Sequence, residues 1–122
     1  MKTLVKTYQF IDLDYLMSNW SNNTSMIEKL MQMFIETTPA QVQSLKNYVS
    51  EEHWEQVRET SHNLISSFSI FGTNDLSNLL ANMEAITSKS EVSEKNDLKR
   101  LMNSVEEMSQ SVFEEVNDAL SK

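Results

Sequence analysis

The chain has few of the residues that make crosslinks, tight turns or a basic surface. Its 122 residues include no cysteine, one glycine and one proline. The absence of cysteine excludes disulfides, thiolate zinc sites and a cysteine nucleophile. Sheets and tight turns use glycine and proline freely, whereas long helices with short connections can do without them. The scarcity of both residues therefore favours an all-α fold, and eight methionines add to the helical bias.

Basic residues are outnumbered by acidic ones. Ten Lys and Arg stand against 18 Asp and Glu, which gives a net charge of −8. Binding to a phosphate backbone needs a basic face, so nucleic acid is not expected as a partner. The acidity by itself is typical of a solvated surface. No apolar run is long enough for a signal peptide or a membrane span, so we predict a cytoplasmic protein without membrane contact.

Five segments carry apolar residues at helical spacing. The first is short and ends before the polar turn at Ser18–Asn23. The second begins at a capping box made by Ser25 and Glu28. Pro39 removes an amide donor within the second segment. Because the apolar pattern resumes directly afterwards, we expect a kinked but continuous helix there.

The third predicted helix starts at Ser50 as its N-cap and stops at Gly72, a left-handed residue. Thr73 or Asn74 caps the fourth, and a polar connection leads to the fifth. The predicted core positions of these three helices recur three and four residues apart: Trp54, Val57, Ser61, Leu64, Phe68; Leu76, Leu79, Leu80, Met83, Ile86; and Leu98, Leu101, Val105, Met108, Val112, Val116, Leu120.

Short connections make consecutive helices antiparallel neighbours. We therefore predict a single domain over residues 1–122, built as an antiparallel up-down-up-down four-helix bundle with a short additional N-terminal helix that caps one end. A chain of this length buries about two-thirds of its unfolded surface. The apolar and methionine-rich stripes are assigned to the core, and no cofactor or metal is predicted.

His62 is the residue that says most about function. On a helical wheel it lies beside the buried stripe, near Arg58, Ile65, Ser66 and Ser69. The ring is therefore predicted to be exposed, and the small serines leave room for another protein to approach it. A neutral imidazole nitrogen is a suitable nucleophile near neutral pH, and reversible phosphoryl transfer needs little else from a carrier.

Two other roles for His62 fit the sequence less well. Glu59 and His62 have the Glu-x-x-His spacing of di-iron bundles, but such sites need a second pair. The only other histidine, His53, has Ser50 at the corresponding position, so that pair is missing. A serine-histidine-carboxylate triad would have to use surface serines without a glycine-framed elbow.

Residues spaced around His62 match a family pattern. The pattern begins with His-x-Leu-Lys-Gly-Ser, continues with an aromatic or apolar residue and Gly, and has Leu and then Leu-Glu further on. This pattern resembles that of the histidine-containing phosphotransfer (HPt) domains of multistep two-component signalling. The resemblance runs from about Phe10 to Leu120 and is densest between Trp54 and Glu84. The matching residues are His62, Leu64, Ser67, Phe71, Gly72, Leu76, Met83 and Glu84, with Phe34 through Pro39, Leu45, Trp54 and Arg58 upstream.

The resemblance implies a bundle whose exposed histidine accepts a phosphoryl group from a receiver aspartate and passes it to another receiver. His62 is the phosphoacceptor that it implies. The protein would be a phosphocarrier rather than an enzyme, and we expect a monomer. The implied partners are receiver domains, with a hybrid histidine kinase as a further candidate.

The sequence departs from the family pattern directly after His62. Ile65 and Ser66 stand where the family usually has Lys and Gly. The lysine would place a positive charge near the phosphoryl oxygens, and Ile65 cannot do so. Arg58 is the candidate for charge compensation, and Ile65, Ser66 and Ser69 are predicted to form part of a docking face. The departure leaves open an alternative, a receiver-binding adaptor that has lost transfer.

Overall fold

The computed structural model describes residues 8–121. Within this range the chain forms five helices and no strand. The helices are α1 (Leu13–Asn19), α2 (Thr24–Ser50), α3 (Trp54–Ser69), α4 (Asn74–Thr87) and α5 (Lys95–Leu120). The all-α fold class is confirmed. Over the same described range, no helix combines the length and the apolar character needed to cross a membrane.

The four long helices enclose one hydrophobic core. Each packs against its neighbour in the chain, α2 packs against α5, and α1 contacts α2. At one level of this core the ring of Phe34 meets those of Phe68, Phe71 and Phe113, with centroids 5.4, 4.6 and 5.5 Å away. Aromatic packing therefore ties α2, α3 and α5 together, while the full up-down-up-down order stays a prediction.

Most of the predicted core positions are buried. In α3, α4 and α5, four residues that the stripes omitted are buried as well: Thr87 on α4, and Met102, Ser109 and Phe113 on α5. The buried stripe of α5 is wider than the set of positions predicted from the sequence, which is typical of a helix that faces a core. The buried predicted positions are Val57, Ser61, Leu64, Phe68, Leu76, Leu80, Met83, Leu98, Val105, Val112 and Val116, and Trp54, Leu79, Ile86, Leu101, Met108 and Leu120 are partly buried.

Two predicted helix starts are wrong. Asn23, not Ser25, caps α2, and its side chain accepts a hydrogen bond from the Met26 amide at 3.1 Å. Asn and Ser are equally good N-caps, so local sequence does not decide between them. Ser50 is the last residue of α2 rather than the cap of α3. The chain reverses after it through Glu52, whose φ is 58°.

The connection between α3 and α4 rests against the start of α1. Gly72 has a φ of 72°, and a Cβ built there would lie 3.2 Å from the Cβ of Asp12. The Asp12 amide donates to the Phe71 carbonyl at 2.8 Å. Thr73 occupies the N-cap of α4, but its hydroxyl donates back to the Phe68 carbonyl at 2.8 Å. The left-handed Gly72 is as predicted, and α1 covers this end of the bundle.

The irregular segment before α1 is held by carboxylates of α5. Glu115 accepts hydrogen bonds from the amides of Gln9, Phe10 and Ile11, at 3.1, 2.9 and 3.0 Å. The Tyr8 hydroxyl donates to Asp118 at 2.6 Å. A segment without secondary structure thus has partners for three successive amides, which fixes its path across α5.

Candidate functional site

His62 lies near the middle of α3, and its side chain is 67% exposed. Leu64 and Phe68 on the same helix are fully buried. The buried positions of α3 recur three and four residues apart, and His62 falls outside that repeat. The fold therefore places the imidazole on open surface, as the helical wheel predicts.

Glu84 on α4 orients the imidazole. Its Oε2 atom lies 2.9 Å from Nδ1 of His62, and its side chain is 29% exposed. A carboxylate only accepts hydrogen bonds, so Nδ1 carries the proton and donates it. In the neutral ring this leaves Nε2 as the nitrogen with a free lone pair. The sequence matched Glu84 to the family pattern, but it did not predict this contact.

Two further contacts define the surface between α3 and α4. The hydroxyl of Ser69 lies 3.3 Å from that of Ser77 and donates to the Ile65 carbonyl at 2.6 Å. His62 comes before Ser69 in α3, whereas its partner Glu84 comes after Ser77 in α4. These two helices therefore run in opposite directions. We call the surface formed by these four side chains together with Ser66 the α3–α4 face.

The structure modifies the expectation for Ile65. The sequence places it on the exposed side, whereas it is partly buried and packs against the core. Ser66 and Ser69 are exposed. Two small hydroxyl side chains therefore follow His62 along the surface, with only part of Ile65 available for contact. Steric access to the ring from the C-terminal half of α3 is open.

Arg58 lies one helical turn before His62, about 6 Å along the axis. Its Nη2 atom lies 3.8 Å from Oε1 of Glu59, and its side chain is 38% exposed. Side chains on a helix lean towards its N-terminus, so Arg58 leans away from His62, whereas a residue at position 65 or 66 leans towards it. The guanidinium is thus close to the carboxylate of the neighbouring Glu59.

Other described groups offer no competing site. No cluster of three or more His, Asp or Glu side chains in residues 8–121 could hold a metal ion. His53 sits at the N-cap of α3 with its Nδ1 3.6 Å from Glu51, and it is 55% exposed. A groove of about 480 Å³ lies between α4 and α5 and does not include His62. His62 therefore lies on the surface outside this groove.

The model of the Hpt domain family matches residues 29–121, which is most of the chain. The chain therefore belongs to the Hpt domain family. Hpt domains act in phosphotransfer in two-component signalling, and they generally interact with receiver domains and kinases. No curated protein and no solved structure gives a significant match to this chain.

Proposed function

We propose that the protein is a histidine phosphotransfer protein of a multistep phosphorelay, in which His62 carries the phosphoryl group between receiver aspartates. The observation that carries this proposal is the hydrogen bond from Nδ1 of His62 to Glu84, at 2.9 Å, on an imidazole that is 67% exposed. One nitrogen is held and the other is left as a nucleophile, in a chain that belongs to the Hpt family.

The geometry supports a transfer through Nε2. The lone pair of Nε2 attacks the phosphorus of an aspartyl phosphate, the P–N bond forms, and the P–O bond to the aspartate breaks as its carboxylate leaves. The ring gains positive charge in this step, and the Nδ1 hydrogen bond to Glu84 stabilises that charge. The reverse step delivers the group to a second receiver. The partner supplies the metal ion and most of the electrostatic stabilisation.

Four further residues have proposed roles in the same reaction. Arg58 provides partial charge compensation from the preceding turn of α3. Ser66 and Ser69, with the accessible part of Ile65, form part of the surface on which a receiver docks. The expected single domain over residues 1–122, its antiparallel up-down order, its monomeric state and its cytoplasmic location complete this proposal.

A receiver-binding adaptor without transfer is the second candidate. The observation that favours it is Ile65, which stands where the family usually has a lysine and which packs partly into the core. Such a protein would keep the bundle and the docking surface but would not form phosphohistidine.

The test is labelling by a phosphorylated receiver in the presence of magnesium. The protein should gain a phosphoryl group that is labile in acid and stable in base, which distinguishes phosphohistidine from a serine ester. The label should disappear in His62→Ala and persist in His53→Ala. His53 is a matched control because it is exposed, belongs to α3's N-terminal end and lies near a carboxylate.

The outcomes separate the two candidates. Binding of receivers without any label on His62 would favour the adaptor. Phosphoramidate, a small donor to histidine, tests the reactivity of the ring without a docked partner. A label that survives in His62→Ala would contradict the proposed acceptor directly.

A further inference from the structure

A serine with an uncommitted hydroxyl follows His62 on α3. Ser66 is exposed and lies four residues after His62, so the two side chains are neighbours on the helix surface, with Cβ atoms about 6 Å apart. Within residues 8–121 the Ser66 hydroxyl has no hydrogen-bond partner. The hydroxyl of Ser69, in contrast, donates to the Ile65 carbonyl at 2.6 Å. Of these two exposed serines, Ser66 is the one whose proton is available to a bound group.

We propose that the Ser66 hydroxyl donates a hydrogen bond to the phosphoryl oxygens as the group moves onto Nε2 of His62, and that this contact speeds transfer within the docked complex. The inference rests on the proposed function. It goes beyond the docking role of Ser66, because it gives the hydroxyl a direct contact with the transferred group.

The first step of the argument is the scarcity of other donors around His62. Its neighbours one helical turn away are Arg58, Glu59, Ile65 and Ser66. The side chains of Glu59, as a carboxylate, and of Ile65 have no hydrogen to donate. Arg58 stands in the turn before His62, and its Nη2 atom lies 3.8 Å from Oε1 of Glu59. In the turn after His62, Ser66 is therefore the only one of these neighbours that can donate.

The second step is the direction in which the two side chains point. The Oε2 atom of Glu84 lies 2.9 Å from Nδ1 of His62, so the phosphoryl group is received on Nε2, the nitrogen farther from the helix. The phosphoryl oxygens extend two bonds beyond that nitrogen. Ser66 leans towards the N-terminus of α3 and thus towards His62. Glu84 would then hold the ring, while Ser66 contacts the phosphoryl oxygens.

The third step concerns water. Before docking, water can form hydrogen bonds with the Ser66 hydroxyl and with the ring. A docked receiver displaces that water, and a donor left without a partner in the interface is costly. The three equatorial oxygens of the moving phosphoryl group then offer acceptors to this hydroxyl. The contact is therefore worth most inside the complex, where the transfer takes place.

The hydroxyl takes part in the transfer only as a donor. The P–N bond to Nε2 of His62 forms while the P–O bond to the receiver aspartate breaks, and the aspartate leaves as a carboxylate. Ser66 keeps its proton throughout and forms no bond to phosphorus. A fixed donor beside the charged oxygens lowers the barrier, since it needs no reorganisation as the reaction proceeds.

The test measures the rate of transfer from a phosphorylated receiver to His62 at saturating receiver, where a change in docking affinity does not alter the rate. Ser66→Ala and Ser66→Gly both remove the hydroxyl, and each should slow transfer about five-fold. Neither replacement adds bulk beside the ring, so a loss in both cannot be steric. Alanine is a better helix former than serine, so the loss in Ser66→Ala cannot come from a weakened helix.

Ser104→Ala is the matched control. Ser104 is also an exposed serine inside a long helix, α5, and its hydroxyl has no hydrogen-bond partner in the described part of the chain. This variant should transfer at the wild-type rate. Phosphoramidate provides a second comparison: it should label Ser66→Ala within about two-fold of the wild-type rate, because water replaces the hydroxyl when no receiver covers the ring.

An unchanged transfer rate in Ser66→Ala would overturn the inference, as would a loss in Ser66→Ala that Ser66→Gly does not share. A similar loss in Ser104→Ala, or with phosphoramidate as the donor, would show a general effect of the substitution and would overturn it too. Failure of both the receiver and phosphoramidate to label His62 in the wild type would remove the proposed function itself. Labelling at a rate that does not depend on Ser66 would remove only the inference.

Discussion

Two glutamates show how differently the two sides of this bundle use the same side chain. Glu115 on α5 accepts hydrogen bonds from the amides of Gln9, Phe10 and Ile11. Glu84 on α4 contacts one ring nitrogen of His62. The first carboxylate fixes a stretch of backbone that has no secondary structure. The second orients a side chain that the fold does not need.

The difference predicts that stability and the proposed function depend on different sides of the molecule. On the Glu115 side, removal of the carboxylate leaves several amides without their partner, and the chain before α1 loses its anchor. On the α3–α4 face, the polar side chains are exposed or partly buried, and water can replace their contacts. Substitutions there should affect phosphoryl chemistry while the free energy of unfolding hardly changes.

The strongest test of this separation compares the two faces of α3. Phe68 is fully buried and meets the rings of Phe34 and Phe113, so Phe68→Ala should reduce the free energy of unfolding by about 3–5 kcal/mol. His62→Ala removes an exposed ring and should leave it nearly unchanged. Urea denaturation of both variants gives the two values. A larger loss for His62→Ala would contradict the assignment of these faces.

The next test exchanges the two glutamates for alanine. Glu115→Ala should reduce the free energy of unfolding by about 2 kcal/mol, because three backbone amides lose a charged acceptor. Glu84→Ala should cost less than about 0.5 kcal/mol, since it breaks one exposed contact. Amide hydrogen exchange provides a local readout: protection at residues 9–11 should fall in Glu115→Ala and not in Glu84→Ala. Equal losses from the two substitutions would break the comparison.

The sequence predicted the helices and the exposure of His62, but not the contacts of the two glutamates. Long apolar stripes predicted the five helices and most of the buried positions, and the helical wheel placed His62 outside them. The sequence could not predict the contacts of either glutamate, because each contact joins residues that are far apart in the chain. The separation is 22 positions for His62 and Glu84, and more than 100 for Glu115 and the amides that it accepts from. Such contacts depend on how helices align, and hydrophobic periodicity carries no information on that alignment.

Helix ends show a second limit, of a local kind. Ser25 and Asn23 are both good caps, two residues apart, and only the packed helix selects Asn23. Ile65 was assigned to the exposed side from its angle on the wheel, yet it packs partly against the core. A residue at the border of the apolar stripe is placed by the packing of the neighbouring helices rather than by its own sequence position.

On the α3–α4 side of the bundle, the rate of phosphoryl transfer in an Arg58 variant gives a further test of the comparison. If its charge assists the moving phosphoryl group, Arg58→Ala should slow transfer at saturating receiver about ten-fold, or about 1.4 kcal/mol in the barrier. Receiver affinity and the free energy of unfolding should change little. Ile65→Lys should restore most of the lost rate in the Arg58→Ala background. Rapid-quench measurements give these rates, and equal rates for the wild type and Arg58→Ala would exclude a role for Arg58.

On the Glu115 side of the bundle, the smallest predicted effect is a loss of stability that appears only at high pH. Burial raises the pKa of Tyr8 to about 12, and the hydrogen bond to Asp118 and the negative charges of Asp118 and Glu115 act in the same direction. An unfolded tyrosine has a pKa of about 10, so the protonated hydroxyl is favoured by folding. Its contribution to stability is complete below pH 10 and is lost as the pH rises from there through 12.

Ultraviolet titration of tyrosinate measures this directly. The wild type should show a component with a pKa near 12 that is absent in Tyr8→Phe. The fall in stability between pH 10 and pH 12 should be smaller in Tyr8→Phe than in the wild type, because phenylalanine has no hydroxyl to ionise. Labelling of His62 at neutral pH should be the same in both, since Tyr8 contacts α5 and the site lies on α3 and α4. A Tyr8→Phe variant that lost the label would show that the two sides are coupled after all.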